Sequence, residues 1–143
     1  MHQLQKTVDP RTLSIAAGAL LIDQLTKYAA FALVPEKGLV IVSGVLTLVR
    51  FENYGAVGSV PVSSFLLLVA GIAALSTLVL FKSANRTGIA LVLGAGASNL
   101  LDRLRFGAVR DLLEFFHLSV WNLADSMIIV GVFLILIRSG REQ

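Results

Sequence analysis

Asp111 and Asp125 are the residues of this 143-residue chain best placed to do chemistry. Asp125 lies in Trp121-Asn122-Leu123-Ala124-Asp125-Ser126, directly before an apolar run to Ile137, and no basic residue lies within a turn of it on its own helix. An aspartate at the centre of a membrane helix costs roughly 3 kcal/mol to insert, a cost usually kept for function. Asn122, one turn earlier, is spaced to orient the Asp125 carboxyl. Asp111 adjoins Arg110, which can neutralise it. Two such carboxylates meeting at one depth would share a proton and support general acid–base chemistry.

Other polar residues recur at helical spacing. Asp23 and Lys27 stand at i and i+4; Asn99, Asp102 and Arg103 at i, i+3 and i+4; Asn122, Asp125 and Ser126 repeat that spacing. Glu52, Asn53 and Gly55 fall in a polar stretch. The spacing reads Asp23–Lys27 and Asp102–Arg103 as structural ion pairs, each acid having a base beside it. His117 reads as an interfacial ring. Two histidines cannot build a three-histidine metal site, and the absence of cysteine excludes thiolate ligands, disulfides and a cysteine nucleophile. Gly94-Ala95-Gly96-Ala97-Ser98-Asn99 follows no strand and lacks the third glycine of a nucleotide loop. Neither metal nor cofactor is expected, and the basicity belongs to membrane flanks rather than to a nucleic-acid partner.

The elements that must carry these residues are membrane spans. The chain is 56% hydrophobic and 15% charged, with a mean hydropathy of +0.82. A bilayer core about 30 Å thick takes roughly 20 apolar residues per helix. The length therefore accommodates four spans in one domain, at about 13–33, 61–81, 89–105 and 121–137. Ala30-Phe31-Ala32 has the look of a signal-peptide cleavage site, but Asp23, Gln24 and Lys27 interrupt the apolar region before it, so the first segment is read as a retained helix. Leu39 to Val49 is rich in β-branched residues and too short to cross. It reads as β-strand at the interface, with a turn at Ser43-Gly44. Phe106 to Val120 reads as an interfacial loop, with Phe115, Phe116 and Trp121 as anchors. Ala90, Gly94 and Ser98 form a small-residue stripe that lets a neighbouring helix come close.

Four spans put both termini on one side. Basic residues divide evenly between the two sides, but the acids gather with Lys27, Lys37, Arg50, Arg103, Arg105 and Arg110. Both termini are therefore assigned to the cytoplasm, and the polar faces of three helices to the outer half of the bundle.

Asp23-Gln24-Leu25-Thr26-Lys27, Asn53-Tyr54-Gly55-Ala56, Asn99-Leu100-Leu101-Asp102-Arg103 with Gly107-Ala108-Val109-Arg110-Asp111, and Asn122-Leu123-Ala124-Asp125-Ser126 resemble, in order, the signature blocks of the lipoprotein signal peptidase family (bacterial signal peptidase II). The resemblance runs from about residue 20 to residue 131. It implies an all-α membrane protein of four transmembrane helices with a small extracytoplasmic β-sheet cradle over residues 37–59. It implies an intramembrane aspartyl endopeptidase of the bacterial inner membrane, with its site near the outer leaflet. That enzyme cleaves diacylglyceryl-modified prolipoproteins before the lipidated cysteine. Carried onto this chain, Asp111 and Asp125 are the catalytic pair. Asn53, Gly55, Asn99, Arg103 and Asn122 support substrate or dyad, and Asp23 and Lys27 brace the site. The expected partners are the prolipoprotein and membrane lipid, with the enzyme a monomer. The chain departs from the family at Val57-Gly58, where alanine and phenylalanine are usual, at Leu112 after the first aspartate, and in a short connection between the aspartates. Two other readings compete: a catalytically inactive relative, and a small proton-coupled transporter, which would need polar residues through the full depth of the bilayer.

Overall fold

The computed structural model describes residues 9–55 and 85–139. The second predicted span, 61–81, lies outside them, as do Ala56, Val57 and Gly58.

The first helix, α1, covers Pro10–Leu33. Asp9 caps it by accepting from the Arg11 amide, and Pro10 occupies the first turn, where its missing N–H costs nothing. Its last turn is met by Arg50, which donates to the Phe31 carbonyl at 3.3 Å. The second helix, α2, covers Arg86–Phe106. Asn85 caps its start, and Gly107 closes its end in the left-handed conformation (φ 72°) with its amide on the Arg103 carbonyl. The third helix, α3, covers Leu123–Ser139.

α1 and α2 run parallel, because Arg86 at the start of one reaches Asp9 at the start of the other at 3.1 Å. α3 runs against them: Asn85 donates to the Leu134 carbonyl near its far end at 2.9 Å. Glycine sets both crossings. A Cβ on Gly94 would strike the backbone of Ala16, and one on Gly88 would lie 2.6 Å from the Gly131 carbonyl oxygen. The stripe of Ala90, Gly94 and Ser98 is buried, as its spacing anticipates.

Four antiparallel strands form one sheet in the order β1 (Leu39–Val42), β2 (Leu46–Asn53), β3 (Val109–Phe115), β4 (Ser119–Trp121). The expected turn at Ser43-Gly44 separates β1 from β2, with Gly44 at φ 70°. The stretch read as an interfacial loop is instead β3 and β4. Val109 to Phe115 mixes charges among apolar residues without clean alternation, and its extended form comes from pairing with β2 rather than from local pattern. Phe116 and His117 turn the β3–β4 hairpin at φ 53° and 55°, and the Phe116 amide donates to the Val45 carbonyl of the neighbouring turn at 2.9 Å.

Among the described residues no helix is both long and apolar enough to cross a membrane on hydropathy alone. α1 has the length, at 24 residues, but Asp23, Gln24 and Lys27 lower its average. α3 has the apolarity but only 17 residues. Burial explains α1. Among the described residues the largest fully buried side chains are Lys27, Asn122, Asp23, Asp102, Asp111 and Ser98, whereas Leu13, Leu21, Leu25 and Leu33 on α1, and Phe133 and Leu136 on α3, face outward. Polar groups inside and large apolar groups outside invert the water-soluble arrangement and suit lipid as solvent.

Candidate active site

The polar ends of α1 and α2, the start of α3, and strands β2 and β3 meet at one place. Asn122 is the keystone. As the residue before α3, its side-chain oxygen accepts the Asp125 amide at 2.9 Å, and the Asp125 carboxylate accepts the Asn122 amide at 3.2 Å. This reciprocal capping box satisfies two orphan donors of the helix start and fixes the Asp125 rotamer. The Asn122 side-chain amide then donates to Asp111 Oδ1 at 2.7 Å and to Asn99 Oδ1 at 3.2 Å.

Each aspartate accepts two amide hydrogen bonds. Asp111 takes its second from Asn53 Nδ2 at 3.0 Å. Asp125 takes its second from Asn99 Nδ2 at 3.0 Å. Gly55 enters through its backbone, donating to Asn53 Oδ1 at 2.9 Å and so turning the Asn53 amide toward Asp111. Asp111 is 1% exposed. Burial pushes its carboxyl up to about 6; the Asn53 and Asn122 bonds pull the other way, and the Asp125 charge adds to the rise. The two acids thus hang on one asparagine and sense each other's charge.

Beneath this pair lies an ionic brace. Lys27 Nζ reaches Asp23 Oδ2 at 2.7 Å, Asp102 Oδ2 at 3.1 Å and Asn99 Oδ1 at 2.8 Å. Asp23 also accepts from Ser98 Oγ at 2.6 Å and from the Ala124 amide at 2.7 Å. The latter is a first-turn donor of α3, so Asp23 caps a helix from across the bundle and meets its positive dipole end. Asp102 accepts from Gln24 Nε2, from the Arg110 amide and from Arg110 Nη2, all between 2.9 and 3.0 Å.

Two expected pairings are corrected. Asp102 does not pair with Arg103 but with Lys27 and Arg110. Arg110 does not neutralise Asp111, because consecutive strand residues point to opposite faces. Asp111 faces Asn53 and Asn122, while the Arg110 guanidinium turns to Asp102 and Gln24 and lies 4.5 Å from the Phe106 ring centroid. Arg103 is half-buried, within electrostatic reach of Asp125, Asp111 and Asp102, and forms no direct ion pair among the described residues. Asp23–Lys27 forms as the spacing anticipates.

Gln24, Ser98, Asp102 and Arg110 belong to the brace but not to the expected site. Ser98 stands one turn before Asp102 on the same helix face, a signal hidden by its reading as a small packing residue. Arg110 reads in sequence as the partner of Asp111, since the strand that turns it to Asp102 is not anticipated. His117 contacts Glu114 on the hairpin at 2.9 Å and lies outside the site. Among the described residues no cluster of histidine, cysteine, aspartate and glutamate could hold a metal ion.

The family model described as signal peptidase (SPase) II matches residues 15–141. The chain is 33% identical over 147 aligned residues to a lipoprotein signal peptidase of Nitratidesulfovibrio vulgaris, covering 91% of this chain and 89% of the relative. It is 32% identical to one from Halothermothrix orenii, covering 87% and 91%. A solved bacterial membrane enzyme, determined by the in meso method at 2.3 Å, superposes with a TM-score of 0.80 at 25% identity, over 92% of this chain and 88% of the other.

Proposed function

Because this chain belongs to the signal peptidase II family, we propose that Asp111 and Asp125 are the catalytic pair of an aspartic endopeptidase working within the membrane. The chain is a bacterial membrane protease of lipoprotein processing, removing signal peptides from diacylglyceryl-modified prolipoproteins before the lipidated cysteine. The observation that carries the aspartic reading is the shared Asn122, whose backbone N–H donates to Asp125 and whose side-chain amide donates to Asp111.

Two carboxyls held on one asparagine and largely shielded from water cannot both ionise cheaply, so the pair holds one proton and titrates as a unit. The ionised member takes a proton from water as the water oxygen attacks the scissile carbonyl carbon. The protonated member gives its proton to the carbonyl oxygen. On collapse, that oxygen returns its proton, the leaving nitrogen takes the other, and the C–N bond breaks, leaving one proton on the pair. The four amide donors hold the carboxyls in place. Arg103 offers a fork of donors to a substrate carbonyl or to charge developing near the pair. The substrate's acyl chains stay in lipid, so partitioning supplies much of the binding.

The parallel start of α1 and α2 requires the chain to cross back between them and so supports four spans; in this reading they form a single domain with both termini cytoplasmic, the sheet is an extracytoplasmic cradle, and the enzyme is a monomer. Against a transporter, the buried residues toward the far end of the bundle are Ala19, Gly88, Ala90, Val92 and Gly94, with no polar path through them among the described residues.

Asp111→Asn and Asp125→Asn are each expected to insert normally and to abolish processing of a diacylglyceryl-modified precursor in a gel-shift assay. Wild-type cleavage by either variant would exclude the mechanism. Equal cleavage of unlipidated precursor would reject the lipid requirement.

A further inference from the structure

A cavity of about 570 Å³, with neither Asp111 nor Asp125 in its wall, is lined by Leu21, Gln24, Leu25, Tyr28, Arg105, Phe106 and Arg110. Its chemistry is split. Leu21, Leu25 and Tyr28 are 57%, 64% and 70% exposed and continue the lipid-facing surface of α1. Arg105, Arg110 and Gln24 make the other wall. The Arg110 guanidinium spends Nη2 on Asp102 and Gln24, yet its buried Nε finds no acceptor among the described residues. Buried donors are rarely left unpaired. Arg105 is exposed and enters no ion pair among the described residues.

Charge accounting sharpens this. Asp23 and Asp102 carry −2 and Lys27 and Arg110 carry +2, so the brace is neutral. Arg103 lies by Asp111 and Asp125. Among the described residues Arg105 is therefore left at the cavity as a cation without a counter-charge. A group that complements it carries one negative charge and several acceptors, and is continuous with an apolar tail that can lie on Leu21 and Leu25. A cationic headgroup amine would meet Arg105 unfavourably.

We propose that this cavity binds the phosphodiester headgroup of an anionic phospholipid, with Arg105 and Arg110 on the phosphate and an acyl chain along Leu21, Leu25 and Tyr28. The bound lipid would buttress the wall that holds Arg110, and through it Asp102, separately from the peptide-cleaving face.

Native mass spectrometry of the full-length protein tests this, after extraction from vesicles of equal parts phosphatidylglycerol, phosphatidylethanolamine and phosphatidylcholine. Retained phosphatidylglycerol is expected to exceed each of the others by about fivefold, the weight of one exposed ion pair. Arg105→Gln, an exposed change that leaves the fold intact, is expected to abolish the preference. Leu25→Trp, which fills the cavity at constant charge, is expected to lower retention of the anionic lipid. Equal retention of the three lipids by the wild type, or an undiminished preference in Arg105→Gln, overturns the proposal. Displacement of the retained lipid by millimolar inorganic phosphate also overturns it, because the site would then serve free phosphate. The readout is lipid retention, so it stands whether or not the aspartates are catalytic.

Discussion

Two pairs of acids, Asp23 with Asp102 and Asp111 with Asp125, sit side by side in this bundle and are treated in opposite ways. Asp23 and Asp102 are held by cations, Lys27 and Arg110, at 2.7 to 3.1 Å. Asp111 and Asp125 are held by amides alone. Cations beside a carboxylate compensate its charge, so the first group acts as a clamp between helices. Amides stabilise a carboxylate without cancelling its charge, so the second group can exchange a proton. The same residue type thus meets cations in one group and neutral amides in the other, the contrast on which the proposed acid–base role of Asp111 and Asp125 rests.

The sharpest break between the two should appear on mutating each. Asp111→Asn is expected to lower peptidase activity by about 10³-fold or more. Its thermal stability in detergent should stay equal or rise. A carboxyl raised from 3.8 to about 6 binds more protons folded than unfolded between those pH values. The fold therefore loses stability as pH climbs through that window, and the asparagine variant escapes the loss. A variant that both unfolds and loses activity would erase the contrast.

Lys27→Met should do the reverse. It strands two buried carboxylates, and breaking a buried ion pair costs about 3–5 kcal/mol, so a large drop in thermal midpoint is expected before any catalytic step is touched. A midpoint unchanged within error would show that the brace carries no stability. Gly94→Leu probes the packing that lets the brace form. Its side chain must displace the Ala16 backbone, and overpacking of this kind costs about 1–3 kcal/mol.

Asn53→Ala refines the acid pair. It removes a hydrogen bond that favours ionised Asp111, so the carboxyl should hold its proton to higher pH. The alkaline limb of the kcat/KM profile should move upward, with roughly a tenfold loss at the optimum. A limb that moved downward would mean that Asp111 is not the group titrating there. The smallest effect is expected at the hairpin, remote from both groups. His117→Gly relieves a left-handed residue and should stabilise by about 1 kcal/mol, leaving the pH profile unchanged.

The residues alone determined the membrane character, the helices near 13–33, 89–105 and 121–137, the small-residue stripe on α2, and the acids worth watching. A long, mostly apolar stretch and an aspartate within it are local signals that need no partner. Tertiary structure decided the rest. Val109 to Phe115 became a strand only because β2 lay beside it, and that extended backbone turned Asp111 and Arg110 to opposite faces, which no neighbour count along the chain reveals. The choice of Arg110 and Lys27 rather than Arg103 as partners of Asp102, and of Asn122 as the link between two acids 14 positions apart in sequence, follows from helix crossings set by Gly94, Gly88 and Gly131. Electrostatic pairing acts over a few ångströms of space, and the separation along the chain does not encode that distance.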